Sequence, residues 1–240
     1  MVKILKTEVM KLKRTKILWL IPLAALLPIL VLLDLPDPVV WGDVFNTNLA
    51  FINLLIAPPL FGLLAGYLFT REYRNSTINT LFSYPYSRIR FLLVKMFLMI
   101  PLIAATLFLN FLLLLIAQLI VEYQVDWSFF TTIAGMYLRL VPLLFAVVPI
   151  AISFGIVSKN SIAPMALGLG AGVCNIVIVN SKYSVLFPWS SPFMIIADNL
   201  NLTEGMDLNF VLGKIILLLV FIVPSIFNIF YYKNSNVHSG

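Results

Sequence analysis

Six stretches of this chain, at about 17–35, 47–70, 96–120, 131–157, 162–180 and 211–232, are long, apolar and nearly free of charge. A helix rises 1.5 Å per residue, so about 20 mostly apolar residues cross a hydrocarbon core of roughly 30 Å. Only 11% of the residues are charged against 61% hydrophobic, more apolar surface than a soluble fold of this size can hide. The expected fold is therefore all-α and integral to a membrane. Residues 17–232 form one domain of six transmembrane helices, and no second, soluble domain fits. The first stretch is too long for a removable signal peptide and lacks a small-residue cleavage site.

Charge then sets the orientation. Lys3, Lys6, Lys11, Lys13, Arg14 and Lys16 precede the first stretch, and Arg71, Arg74, Arg88, Arg90 and Lys95 lie between the second and third. Lys159 and Lys233 fall on the same side, which holds two acids, Glu8 and Glu72. The other side carries Arg139, Lys182 and Lys214 with the remaining eight acids. The positive-inside rule places both termini, the 71–95 segment and the tail 233–240 in the cytoplasm. The net charge of +6 is a topology signal; no aromatic-interleaved basic face points to nucleic acid.

Residues 1–16 space Val2, Leu5, Val9 and Leu12 three and four apart among lysines, the pattern of an amphipathic helix lying in the membrane interface. A basic flank that only sets topology is the plainer alternative. Gly62 and Gly66 follow Pro58-Pro59 in the second stretch, and Gly168 and Gly172 stand in the fifth. Both pairs have the four-residue step that lets helix backbones approach, and packing within the subunit explains them better than a dimer seam.

Few polar residues interrupt the spans: Asn53, Asn110, Gln118, Arg139, Ser153, Asn175 and Asn228. Arg139 is the one charge well inside a span, and it either faces a partner or wet cavity or snorkels outward. The loop 181–210 is long yet rich in Phe, Leu and Ile, with Trp189 between the helix breakers Pro188 and Pro192. Backbone of that kind at membrane depth must be buried in protein or line a cavity, so a re-entrant outer loop between helices five and six is expected. Arg139, Asn53, Asn175, Pro188, Trp189 and Pro192 are the candidates for a substrate path or gate.

Chemistry is scarce. No GxxxxGK[ST] is present, and with His238 as the only histidine neither a Ser-His-Asp set nor a metal site with Cys174 can be built. No carboxylate lies in a span, which argues against an ion-coupled secondary transporter. The chain is not expected to be an enzyme, to hold a metal or to bind a cofactor itself.

The segment 71–95 is more than a polar loop. Asn75, Ser76 and Thr77 supply capping oxygens to a short helix with Ile78, Leu81 and Phe82 on one face. Pro85 ends it, and Ser87 can cap the next helix, which carries Arg88, Arg90 and Lys95 into the third span. The order Glu72, Thr77, Leu81, Pro85-x-Ser87-Arg88 and Lys95 resembles the first cytoplasmic loop of ABC-2-type permeases, the membrane subunits of ABC exporters. Ser76 departs from the glycine usual there. The interfacial helix, six spans and long last outer loop are similar too, and the opening "KLKRTKILWL" resembles the bacitracin-resistance and lantibiotic-immunity permeases.

The resemblance implies a multi-pass protein of the bacterial plasma membrane that binds separate ABC ATPase subunits, with ATP and Mg held by that partner. It also implies a second permease, identical or related, and contact with membrane lipids. ATPase coupling would fall to Arg71, Glu72, Arg74, Thr77, Ile78, Leu81, Phe82, Pro85, Ser87, Arg88 and Lys95. The apolar, uncharged spans point to an amphipathic peptide or lipid-like cargo for such an exporter. A non-transporting scaffold or sensor whose cytoplasmic loop docks a signalling protein is the alternative.

Overall fold

The structure, a computed structural model, describes residues 2–30, 40–74, 87–122, 127–198 and 208–234. All regular elements among the described residues are helical. Helix α1 (Val2–Lys13) leads through a 3-10 turn (Lys16–Trp19) into α2 (Leu20–Leu30). Helix α3 (Trp41–Phe51) passes through a π-helical turn (Ile52–Ile56) into α4 (Ala57–Arg74) without a break. Then come α5 (Arg88–Glu122), α6 (Trp127–Ser158) and α7 (Ile162–Ile178). A 3-10 turn (Ser184–Leu186), α8 (Ser191–Ala197) and α9 (Phe210–Asn234) complete the chain.

Among the described residues four helices have the length and apolarity to cross a membrane: Trp41–Arg71, Arg88–Val121, Trp127–Ser158 and Phe210–Lys233. The described parts of the expected first and fifth spans form the apolar helices Lys16–Ile29 and Ile162–Ile178; residues 31–35 of the first lie outside the described residues. At 17 residues α7 is about 25 Å long, less than the roughly 30 Å of a hydrocarbon core. The second span is longer than expected, because the helix begins at Trp41 and not near residue 47.

Helix α6 occupies the centre and touches α4, α5, α7, α8 and α9. Around it Phe45, Leu64, Ile103, Met136, Leu140 and Ile152 form one continuous apolar core. Helix α9 is the most peripheral, with Val211, Leu218, Leu219, Val223 and Phe230 turned outward as lipid-facing residues would be. It is held to α6 by Asn228, whose Nδ2 donates to the Pro149 carbonyl at 3.0 Å.

The tightest helix pair is α4 with α7, and it is built from the four spaced glycines. A Cβ at Gly66 would lie 2.5 Å from Pro164 Cγ, and one at Gly168 would lie 2.7 Å from the Cα of Pro59. At Gly62 it would fall on the Pro164 carbonyl. The two steps therefore serve packing inside the subunit, as expected, and face each other across a single contact.

Helix α1 forms, but its buried face differs from the expected one. Leu5 and Val9 are 40% and 45% exposed, whereas Ile4, Glu8 and Leu12 are buried. Ile4 packs on Phe91 and Val94 in the first turns of α5, so α1 lies against protein along the 4-8-12 stripe. Leu5, Val9 and Met10 are left outward, where headgroups and upper acyl chains would meet them. Glu8 is not stranded, because Lys11 Nζ donates to it at 2.6 Å.

The glycine contact carries a prediction. Gly62→Leu or Gly168→Leu forces backbone apart and should cost about 3 kcal/mol or more, at or beyond the upper end of ordinary overpacking. Gly170→Ala, where an added Cβ meets nothing within 4 Å, should be neutral or slightly stabilising. Thermal unfolding of the detergent-solubilised chain measures both.

Candidate functional site

The chain alternates direction, so residues far apart in sequence collect at two ends of the bundle. At one end α4 finishes and α5 starts, with α1 across the start of α5. Of the expected coupling residues, Arg71 is half-buried with its guanidinium 6.0 Å from the Tyr67 ring centroid. Glu72 and Arg74 continue α4 in backbone, but their side chains lie outside the described residues. Thr77, Ile78, Leu81, Phe82 and Pro85 fall outside them altogether. Ser87 is exposed, and its carbonyl accepts the Arg90 N–H at 2.9 Å as α5 begins; Arg88 is half-buried.

Lys95 has a different place from its basic neighbours. It is fully buried, with its ammonium 5.8 Å from the centroid of Phe69, itself 1% exposed. A buried cation over an aromatic face joins α5 to α4.

Further along α4 the backbone itself poses a problem. Proline has no N–H, so Pro58 and Pro59 leave carbonyls unpaired within the helix. Leu54 is denied both ways: its α-helical partner would be Pro58 and its π-helical partner Pro59. Asn175 of α7 answers this, donating Nδ2 to the Leu54 carbonyl at 2.8 Å. Gly168 of α7 lets that contact form, since a Cβ there would lie 2.6 Å from the Pro58 carbonyl carbon. Asn53 Nδ2 donates to the Leu49 carbonyl at 2.8 Å, leaving its buried Oδ1 with no partner among the described residues.

Asn53 and Trp189 line one small cavity of about 30 Å³ with Pro58, Phe61, Gly62 and Leu144. Its volume suits a single water, and Asn53 Oδ1 is buried beside it. The loop residue Trp189 is thus brought to the π turn, from 136 positions away in sequence. Pro188 is half-buried beside it, and Pro192 is buried at the start of α8. Helix α8 packs on α6, α9 and the π turn, and Phe193, Met194, Ile196 and Ala197 are buried there. Ser190 Oγ donates to the Ser184 carbonyl, closing it on itself.

Arg139 stands apart. It is exposed, its Nε donates to the Gly135 carbonyl at 3.2 Å, and it borders a separate hollow with Asp198 and Lys214. Neither Asp198 nor Lys214 was expected there; their only sequence signal is that they are charges flanking the last outer loop. Tyr137 was also missed. Its hydroxyl donates to Asn110 Oδ1 at 2.8 Å, and Asn110 Nδ2 donates to the Ala25 carbonyl at 3.0 Å, tying α6, α5 and α2 together.

Residues 4–175 match the family described as ABC-2 family transporter protein. The chain is also 31% identical over 163 residues to the bacitracin transport permease protein BCRB of Bacillus licheniformis, covering 67% of this chain and 78% of that one. This chain belongs to the ABC-2 transporter family. No solved structure matches it. It is therefore a multi-pass membrane permease subunit of an ABC transporter, in keeping with the bacterial plasma membrane. Permease subunits of this family are not enzymes, and ATP is hydrolysed by separate ATPase subunits that are their partners. The matched range takes in the basic end of the permease, the π turn and Asn175, and stops before α8.

The Leu54–Asn175 bond predicts non-additivity. Asn175→Leu should cost about 1–3 kcal/mol by leaving a buried carbonyl unpaired. In a Pro58→Ala, Pro59→Ala background the helix recovers its own donors, and the same change should cost well under half as much. Thermal unfolding of the four proteins in one detergent gives the cycle.

Proposed function

We propose that this permease works in an ATP-driven exporter that moves an amphipathic peptide or lipid-like substrate out of the membrane or cell. Similarity to the bacitracin transport permease protein BCRB is the observation that carries the peptide-antibiotic reading. The spans support it physically, since they offer an ionic solute few groups while long exposed apolar faces suit a cargo that partitions into lipid.

In this reading the basic end faces the cytoplasm, as its arginines and lysines require. Two ATPase subunits grip the segment after α4 through Ile78, Leu81 and Phe82, with Arg71, Glu72 and Arg74 setting register by ion pairs. ATP-driven closure pushes α4 toward the far end. Because α4 and α7 meet with no space between Gly62, Gly66, Gly168 and Pro164, the push moves both. The π turn, where the helix is bonded least regularly, is where motion is taken up. Asn53 and Trp189 share a cavity there, which supports a gating role for the 181–210 loop. A second permease, the same chain or a related one, completes the path, and lipids cover the rest.

Co-expression with the cognate ATPase tests the coupling. The two chains should co-purify, and Leu81→Asp with Phe82→Asp should abolish the complex and its stimulated ATP hydrolysis. Wild-type behaviour of that double variant sinks the proposal. Inside-out vesicles holding the intact complex should take up labelled bacitracin only with ATP, and ATP-independent uptake would point to a secondary carrier.

A further inference from the structure

A hollow beside Arg139 is not used by the coupling scheme. Its volume is about 400 Å³. Arg139 comes from α6, Asp198 follows α8, and Lys214 stands in the second turn of α9. Pro142, Leu143 and Phe210 supply an apolar wall. The three elements meet where the chain enters α9, at the end of the bundle remote from Arg71 and Lys95. At 32 residues α6 is about 48 Å long, some 18 Å more than a hydrocarbon core requires. Part of it can therefore stand clear of the core, and Arg139 lies level with the start of α9.

The charges in this hollow do not cancel. A guanidinium and an ammonium face one carboxylate, leaving the described lining with one net positive charge. Nε of Arg139 is fixed on the Gly135 carbonyl, which orients the planar head, and Lys214 has no hydrogen-bond or ion-pair partner among the described residues. An oriented guanidinium suits the paired oxygens of a phosphate, and a nearby ammonium adds a point charge. The apolar wall beside them suits hydrocarbon. Charge and wall together define an occupant with an anionic head and an apolar body.

We propose that the hollow bounded by Arg139, Asp198 and Lys214 binds the phosphate head of an anionic amphiphile, whose chain lies on Pro142, Leu143 and Phe210. A zwitterionic head gains less, because its cation would meet Arg139 and Lys214 as well as Asp198. Asp198 sets the limit on charge: it weakens anion binding and keeps the hollow from holding any anion indiscriminately. The site belongs to this chain alone and requires neither ATP nor a particular cargo.

Binding is read on the detergent-purified chain without its ATPase, by native mass spectrometry with dihexanoyl phosphatidylglycerol, dihexanoyl phosphatidylcholine and inorganic phosphate as probes. Phosphatidylglycerol should bind in preference to phosphatidylcholine, and Arg139→Gln or Lys214→Gln should each weaken it about tenfold. Asp198→Asn should tighten it several-fold. Lys182→Gln, an exposed lysine elsewhere at the same end, should leave it unchanged. Arg139→Lys keeps the charge without the fork and should fall between, which guards against a Gln variant that loses its fold; unfolding temperatures are compared throughout. Equal binding of the two lipids, or indifference to both Gln changes in folded protein, overturns the site. Inorganic phosphate binding as tightly as phosphatidylglycerol, with the same response to the variants, overturns the amphiphile and leaves a free-anion site. These results are independent of whether bacitracin is transported.

Discussion

Pro58 and Pro59 remove two consecutive N–H donors from the middle of a helix that must pair every backbone group without help from water. The π turn just before them and the Asn175 amide across the contact are two parts of one answer. The turn shifts the hydrogen-bond register, yet Leu54 still finds a proline in either register, so its carbonyl needs a donor from another helix. That donor can reach only if α7 comes close, and α7 comes close because Gly168 presents no side chain to the backbone of Pro58 and Pro59. The proline pair, the glycine steps and one asparagine are therefore a single device. Removing one component should unsettle the others.

This device explains which parts of the fold were legible in the sequence. The six apolar runs announced helices, since continuous hydrophobicity over about 20 residues has few other meanings. The glycine steps announced close packing, and their use within the subunit followed. Prolines and asparagines were each conspicuous, but nothing local in the sequence pairs Asn175 with Leu54, 121 positions away. The π turn was invisible for a similar reason: Ile52–Ile56 has the composition of any apolar helix, and only the two prolines beyond it make the shift useful. Trp189, Asp198, Lys214 and Arg139 likewise converge through tertiary packing that no spacing rule encodes.

Two features of the basic end share one physical cause. Helix α1 packs on protein along one stripe, and Lys95, expected in the coupling segment, is buried. Both follow from an interior at the basic end of the bundle. Phe69, Phe91 and Val94 supply it. They take Ile4 of α1 on one side and the Lys95 side chain on the other, so charged residues in this neighbourhood sit at the edge of an apolar patch. A lysine can accept that position because its methylene stem packs while its ammonium meets an aromatic face.

Rigidity at that end has a mechanical consequence. A force on the segment joining α4 and α5 meets two helices already clamped by Lys95 over Phe69, and α4 in turn is seated against α7 along its glycine face. Neither contact has free space in which displacement could be lost, and packed interfaces of this kind shift as units. The first place along α4 where bonding is irregular is the stretch from Ile52 to Pro59, and there Trp189 of the outer loop and Asn53 line the same cavity. In the proposed coupling scheme, force introduced among the arginines would pass along α4 toward the loop after α7. The same geometry explains why so apolar a chain keeps its polar side chains where it does. Asn175 and Asn228 steady backbone carbonyls that would otherwise be buried beside apolar side chains.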